Sequence, residues 1–371
     1  MSEYLFGPNT DLVNGERVKQ ARLLNGFNQG TLAKKVGVTQ AMIAHVEGGF
    51  KQPSDEVLLK IASATKLPVG YFRQTSPPEL PAGSLLFRAR SGVSRKALDQ
   101  SHRRAQIVLE IAIGLAAKVK TIPPKIVPSE EPPRAAAAKL RNILGFDRSS
   151  PISHLIRPLE KQGAILLALP PDELTEAFAV WAHRWPVIAF AGQTSGDRLR
   201  LTIAHELGHL VMHKSLTSDA EIEREAYQFA AELLMPASGI STDFSKFGTN
   251  LQSIASLKLR WGVSMQALIR RAKDLEFISE RQYHYLMQQM SAKGWRKQEP
   301  SNLSPQTEKP RLLRRMAELI YGDPIDYSTF AKDFNLRVEL VNEILNRYAT
   351  KSEVQSKLAS RSAKVLPFLG K

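Results

Sequence analysis

The segment Gly196–His213, GDRLRLTIAHELGHLVMH, decides how this chain is read. Within it, His205-Glu206-Leu207-Gly208-His209 sets two imidazoles four residues apart. On a helix that spacing stacks them one turn apart on the same face, so both rings can reach a single divalent ion. Glu206, between them, comes close to the open side of such an ion, where it can accept a proton from water. Leu207 and Leu210 supply the buried side of the helix, and an apolar surround excludes water and strengthens an ion's field. The 371 residues contain no cysteine, so disulfides, thiol catalysis and thiolate ligation are excluded, and a metal must be held by His, Asp or Glu. The donor types in this motif suit Zn2+.

A zinc hydrolase needs a third protein ligand and an open fourth position. Downstream lies EIEREAYQFAAELLMP (221–236), an acidic start followed by an apolar face of Phe229, Ala230, Leu233 and Leu234, ended by Pro236. Glu223 is preferred as the third ligand and Glu225 is the alternative. Glu223 stands four residues before Tyr227, in the spacing Glu-x-x-x-Asp/Asn of glutamate-ligand zinc peptidases. His213 is a poor third ligand. His205, His209 and His213 on one helix would rise about 12 Å, too far for one ion. His183, His213 and Tyr227 are the candidates for stabilising an oxyanion.

Strand signals precede the motif. Gly163–Leu169, Phe178–Ala182 and Pro186–Ala191 are short apolar runs bounded by Gly, Pro or turn residues, and the closeness of the last two predicts antiparallel pairing. An extended substrate is expected to add to the edge of Pro186–Ala191. Helices are predicted over 94–119, 134–145 and 151–162. From near Arg198 the pattern is helical, with breaks at Pro236–Asn250, at Gly262 and over Lys297–Pro310. The fold class is α+β: an all-α N-terminal domain, a small sheet with the metal helix, then a helical C-terminal region. The expected division is 1–74 helix-turn-helix, 75–133 helical linker region with the proline-rich stretches TSPPELP and TIPPKIVPSEEPP, 134–300 metal domain, and 301–371 helical C-terminal region.

The N-terminal stretch GERVKQARLLNGFNQGTLAKKVGVTQAMIAHVEGG (15–49) reads as helix-turn-helix. Val18, Ala21 and Leu24 line a first helix. Asn28 caps a second, carrying Leu32, Ala33 and Val36. Gly37 makes the turn, Val38 closes it, and Thr39 caps a third helix whose Met42, Ile43 and Val46 face inward. That leaves Gln40, Ala41, Ala44 and His45 outward on the recognition helix, where Gln can bond adenine and Ala can meet a thymine methyl. With Gln29 and Lys34 placed for phosphates, the DNA-contacting set is Gln29, Lys34, Thr39, Gln40, Ala41, Ala44 and His45. Over about 60 residues, including Glu47-Gly48, Pro53-Ser54 and the helix Asp55–Thr65, this resembles the XRE/Cro-type repressors. A homodimer on DNA is one expectation. The net charge of +15 favours polyanionic partners, although the basic residues are spread along the chain. Residues 310–347 repeat a helix–turn–helix-like rhythm (Phe330-Ala331, Asn335-Leu336, Val338, Val341), read as a packing or oligomer element.

No apolar run approaches the roughly 20 residues of a membrane span, and the first residues lack a secretory pattern, so a cytoplasmic location with no membrane partner is expected. The segments 196–213 and 223–236, with FRARSGVSRKALDQ (87–100), the strands and RWGVSMQALIRRAKDL (260–275), resemble the ImmA/IrrE-type metallopeptidases in the architecture with an N-terminal XRE domain. The resemblance covers nearly the whole chain to about residue 300. It implies a gluzincin-like fold, Zn2+ at His205, His209 and Glu223, and Glu206 as general base. It also implies a zinc endopeptidase that relieves repression by hydrolysing a protein substrate, often an XRE-type repressor. Tyr227 departs from the family's Asn/Asp, and a phenol orients a ligating histidine less well than a carboxylate does. The competing reading is a non-proteolytic transcriptional regulator, or an antitoxin-type repressor, whose peptidase-like domain senses metal and does not depend on Glu206.

Overall fold

The computed structural model describes residues 11–78, 80, 94–119, 123–170, 177–182, 184–191, 195–213, 220–300, 303–350 and 353. His183, the stretch 87–93 and most of the tail beyond Thr350 lie outside the described residues. In chain order the elements are α1 (Gly15–Leu24), α2 (Gln29–Val36), α3 (Gln40–Glu47), α4 (Asp55–Thr65), a 3-10 turn (Val69–Arg73), α5 (Arg95–Lys118), α6 (Pro133–Ile143) and α7 (Ile156–Lys161). Strands β1 (Ile165–Leu169), β2 (Phe178–Ala182) and β3 (Trp185–Ala191) follow, then α8 (Gly196–Met212), α9 (Ala220–Leu234), α10 (Ala237–Phe247), α11 (Leu251–Trp261), α12 (Met265–Asp274) and α13 (Glu280–Ala292). The last are α14 (Leu312–Tyr321), α15 (Tyr327–Asp333) and α16 (Val338–Asn346). The fold is α+β: among the described residues, helices come before and after a small three-stranded sheet in chain order.

By contact the chain groups into two discontinuous units, whereas the division read along the sequence is linear. The first draws its described residues from Met1–Glu79, Ser94–Thr121 and Lys309–Lys371. Here α2, Gly37 and α3 make the helix-turn-helix. Asn28 Oδ1 accepts from the Thr31 amide at 2.7 Å, Thr39 caps α3, and Gly37 takes the left-handed conformation (φ 79°) that the tight turn demands. Val18, Leu32, Ile43 and Ile61 are fully buried between its helices. Helix α5 is buried from Ala105 to Ala116, packs on α1 and α14, and carries Glu110 to the buried guanidinium of Arg17 (2.8 Å). Breaking such a buried pair costs about 3–5 kcal/mol.

The second unit draws on Leu80–Val93 and Ile122–Glu308. Its sheet has the order β1-β3-β2, with β1 parallel to β3 and β2 antiparallel to it, so the expected antiparallel pairing is observed. One expectation is corrected: β3 is the central strand, bonded on both sides over Val187–Ala189, and has no edge for a substrate to join. A second is corrected too, because most of the stretch read as a break at Pro236–Asn250 is α10. Pro236 serves as its N-terminal flank, where a missing N–H costs nothing, and Ile240 and Phe244 bury its inner face.

Candidate metal centre

Helices α8 and α9 build the site and pack closely on each other. Their approach depends on Gly208, inside the motif. A Cβ there would meet the Ala226 carbonyl oxygen at 3.0 Å, Ala226 Cα at 3.1 Å and the Phe229 ring at 3.2 Å. Glycine in mid-helix costs about 1 kcal/mol relative to alanine, and here it admits the α9 backbone. The site is braced from several sides. Trp181 Nε1 of β2 donates to the Leu210 carbonyl (3.1 Å), one residue past His209. At the start of α8, the fully buried Lys258 ammonium bonds Asp197 and reaches Glu299 at 2.8 Å. Burial alone would raise the Asp197 carboxyl; the Lys258 ammonium and the Ser195 hydroxyl hold it below the usual carboxylate range. Arg200 bonds Glu308 at 2.9 Å and the Ile152 carbonyl at 2.9 Å. The far end of α9 is fastened by Arg141, which donates to the Leu233 carbonyl, and by Arg271, which bonds Glu232 and the Met235 carbonyl.

On this frame His205, His209 and Glu223 converge. His205 Nε2 lies 3.0 Å from Glu223 Oε2, His209 Nε2 lies 3.3 Å from Glu223 Oε1, and the two Nε2 atoms are 3.1 Å apart. These atoms form a group able to hold a metal ion. Tetrahedral ligands at zinc bond lengths of roughly 2.0–2.1 Å lie about 3.3 Å from one another, close to the spacings here, and two imidazoles with a carboxylate are a usual zinc donor set. The residues therefore fit a metal. His209 is buried, His205 half-buried, and Glu223 45 % exposed at its side chain, so the group opens to solvent on the Glu223 side. Glu206, on the same helix, is buried.

The alternatives separate geometrically. Glu225 turns from the pair and meets His213 Nε2 at 3.1 Å. His213 ends α8 with extended backbone, so it does not continue the helical row of histidines. Tyr227 points to α12: its ring lies under the Arg270 guanidinium, 3.5 Å from centroid, its buried hydroxyl has no hydrogen-bond partner among the described residues, and burial raises its pKa. Nothing in this geometry directs it to a ligand histidine. The sequence reading missed Gly208, Trp181 and Lys258. Lys258, a cation at a core-facing position beside Leu257 and Trp261, was the one with a visible signal.

In the helix-turn-helix, Lys34, Thr39, Gln40, Ala41 and His45 are exposed, and Ala44 is half-buried. Gln29 is half-buried at the start of α2. Its amide donates to Glu47 Oε2 at 2.9 Å, and Glu47 is itself clamped by Arg22, so Gln29 links α2 to the end of α3.

Fold and donor set define a metallopeptidase-like domain in one chain with a helix-turn-helix. Residues 160–273 match the family model of the IrrE N-terminal-like domain, and residues 18–72 match that of the helix-turn-helix. No curated protein matches the chain. The pairing matches the ImmA/IrrE-type architecture with an N-terminal XRE-type domain, and it supports a DNA-binding regulator with an IrrE-like, metallopeptidase-like domain, a family match that implies a metal. Among the described residues, no helix is long and apolar enough to cross a membrane.

Proposed function

We propose that this chain is a DNA-binding regulatory zinc endopeptidase that hydrolyses a peptide bond in a protein substrate, an XRE-type repressor being the expected one. The observation that carries the reading is the convergence of His205, His209 and Glu223 around a space with the spacing of zinc ligands, beside buried Glu206. These three hold the ion, and Glu225 serves His213. Zinc, when bound, supplies Lewis-acid activation of water and of the scissile carbonyl. Glu206 takes the proton of the attacking water and delivers it to the departing amine nitrogen. The burial of Glu206 keeps bulk water from competing for that proton. The substrate adds as a strand to β2, the edge strand braced on α8 by Trp181, in place of the occupied β3.

The helix-turn-helix reads its operator through Gln40, Ala41, Ala44 and His45, with Lys34 and the α3 start at Thr39 on phosphates and Gln29 holding α2 to α3. A homodimer on two half-sites is the expected bound form. The compartment is the cytoplasm, where such DNA lies.

The test is Glu206→Gln, assayed for zinc content and for cleavage of a candidate repressor. Full zinc with cleavage reduced about 10²-fold or more supports the reading. Cleavage at the parent rate refutes the general base. Regulation that persists unchanged in the variant favours a non-proteolytic metal-sensing regulator.

A further inference from the structure

Residues 326–346 repeat the helix-turn-helix of residues 28–48 in an ungapped register that sets Asn28 on Asp326. Thr31 falls on Thr329, Leu32 on Phe330, Ala33 on Ala331, Lys34 on Lys332, Val36 on Phe334, Gly37 on Asn335, Val38 on Leu336, Ile43 on Val341 and Val46 on Ile344. The structure repeats with the letters. Asp326 caps α15 by accepting from the Ser328 and Thr329 amides at 3.0 and 3.1 Å, as Asn28 caps α2. Asn335 takes the left-handed conformation at φ 50°, as Gly37 does at 79°. Asparagine is among the few residues that tolerate it. Phe330, Ala331, Val341 and Ile344 are buried, as are Leu32, Ala33, Ile43 and Val46. Residues so matched in capping, turn and core are one motif used twice.

The two copies differ where bases would be read. Gln40, Ala41, Ala44 and His45 correspond to Val338, Glu339, Asn342 and Glu343. Two carboxylates on this face would lie between the phosphate rails of a duplex, a repulsive arrangement. Glu343 is also held by Arg104 of α5 at 2.5 Å, so that side of α16 is already engaged within the unit. The turn of the second copy is seated on the first copy's domain. Gln74 Nε2, just past the 3-10 turn, donates to the Phe334 carbonyl at 3.3 Å, and the Asn335 side chain lies against Gly70. Asp333 accepts from Lys118 at 2.5 Å and from Tyr321 at 2.8 Å, and the Lys118 ammonium stands over the Phe334 ring.

We propose that residues 326–346 are a second helix-turn-helix that does not read DNA, and that it seats the first: the DNA-binding unit of this chain is completed by its own C-terminal copy. The proposal rests on α3 being the reading helix of the first copy. The full chain is used to enrich duplexes from a random-sequence pool, and the enriched duplex is the probe for affinity. Glu339→Gln with Asn342→Ala keeps Kd within about twofold and leaves the selected sequence unchanged, whereas Gln40→Ala weakens binding about tenfold or more. Lys118→Glu weakens binding about tenfold, and adding Asp333→Lys to it recovers most of the loss. Without DNA, amide exchange over 69–74 rises in Lys118→Glu and falls back in the double variant. A changed consensus, or a loss beyond about fivefold in the Glu339/Asn342 variant, would show that the second copy reads bases and would overturn its silent role. Parent-level exchange and affinity in Lys118→Glu would overturn the seat. If no duplex is enriched, the reading role of α3 fails, and the exchange measurement still judges the seat by itself.

Discussion

Replacing Gly208 by alanine tests whether the close approach of α8 and α9 sets the metal site. The added methyl would stand 3.0–3.2 Å from the Ala226 carbonyl oxygen, Ala226 Cα and the Phe229 ring. Normal contact begins near 3.5 Å, so the helices must separate by a few tenths of an ångström, and the nearest obstacle is backbone, which cannot rotate away. Overpacking costs about 1–3 kcal/mol, and exchanging glycine for alanine in a helix returns about 1 kcal/mol, so the metal-free protein loses at most about 2 kcal/mol. Metal affinity is more sensitive. The donors of α8 and α9 are 3.0 and 3.3 Å apart, and ligand distances tolerate only about 0.2 Å of error. Zinc affinity is expected to fall about 10–100-fold, the scale seen when groups supporting a ligand set are disturbed. Titration against a chromophoric chelator measures this, with unfolding in EDTA as the stability control. An affinity within threefold of the parent would refute the claim that interhelical distance positions Glu223.

Glu223→Ala is expected to abolish stoichiometric zinc, while Glu225→Ala retains it within a few-fold, read by metal analysis after dialysis; the reverse order would exchange the two roles. Acid unfolding should reflect Asp197: its folded pKa is depressed, so the stability it contributes is present above the unfolded value of about 3.9 and is lost as pH falls through the lower folded value. Melting curves from pH 6 to pH 2 should therefore show a shallower acid limb in Asp197→Asn than in the parent. Lys34→Ala should weaken operator binding alike on all sequences and reduce the slope of log K against log salt by about 0.9, measured by anisotropy at several salt concentrations; an unchanged slope would remove Lys34 from the phosphate contacts. Lys258→Ala, which strands Asp197 and Glu299 at the start of α8, should cost about 3–5 kcal/mol in urea unfolding.

Much of the molecule was legible from local chemistry. The spacing of His205 and His209 requires only a helix to bring two imidazoles to one face, and helical periodicity is a property of neighbours in sequence. Caps at Asn28 and Thr39 and the turn at Gly37 are likewise local, as is the strand content of Phe178–Ala182. What stayed hidden involves residues far apart in the chain. Two glutamates two residues apart on one helix start look alike in sequence, and the packing of α9 on α8 sends Glu223 to the histidine pair and Glu225 to His213. Strand order was equally illegible: an apolar run reads the same whether central or at an edge, and β3 is central because it pairs antiparallel with β2 on one side and parallel with the earlier β1 on the other. The C-terminal rhythm was visible as a pattern, but its seat against Gln74 and Lys118 joins positions more than 200 residues apart. Such partners are chosen by shape and burial when the chain closes on itself, which no local pattern encodes.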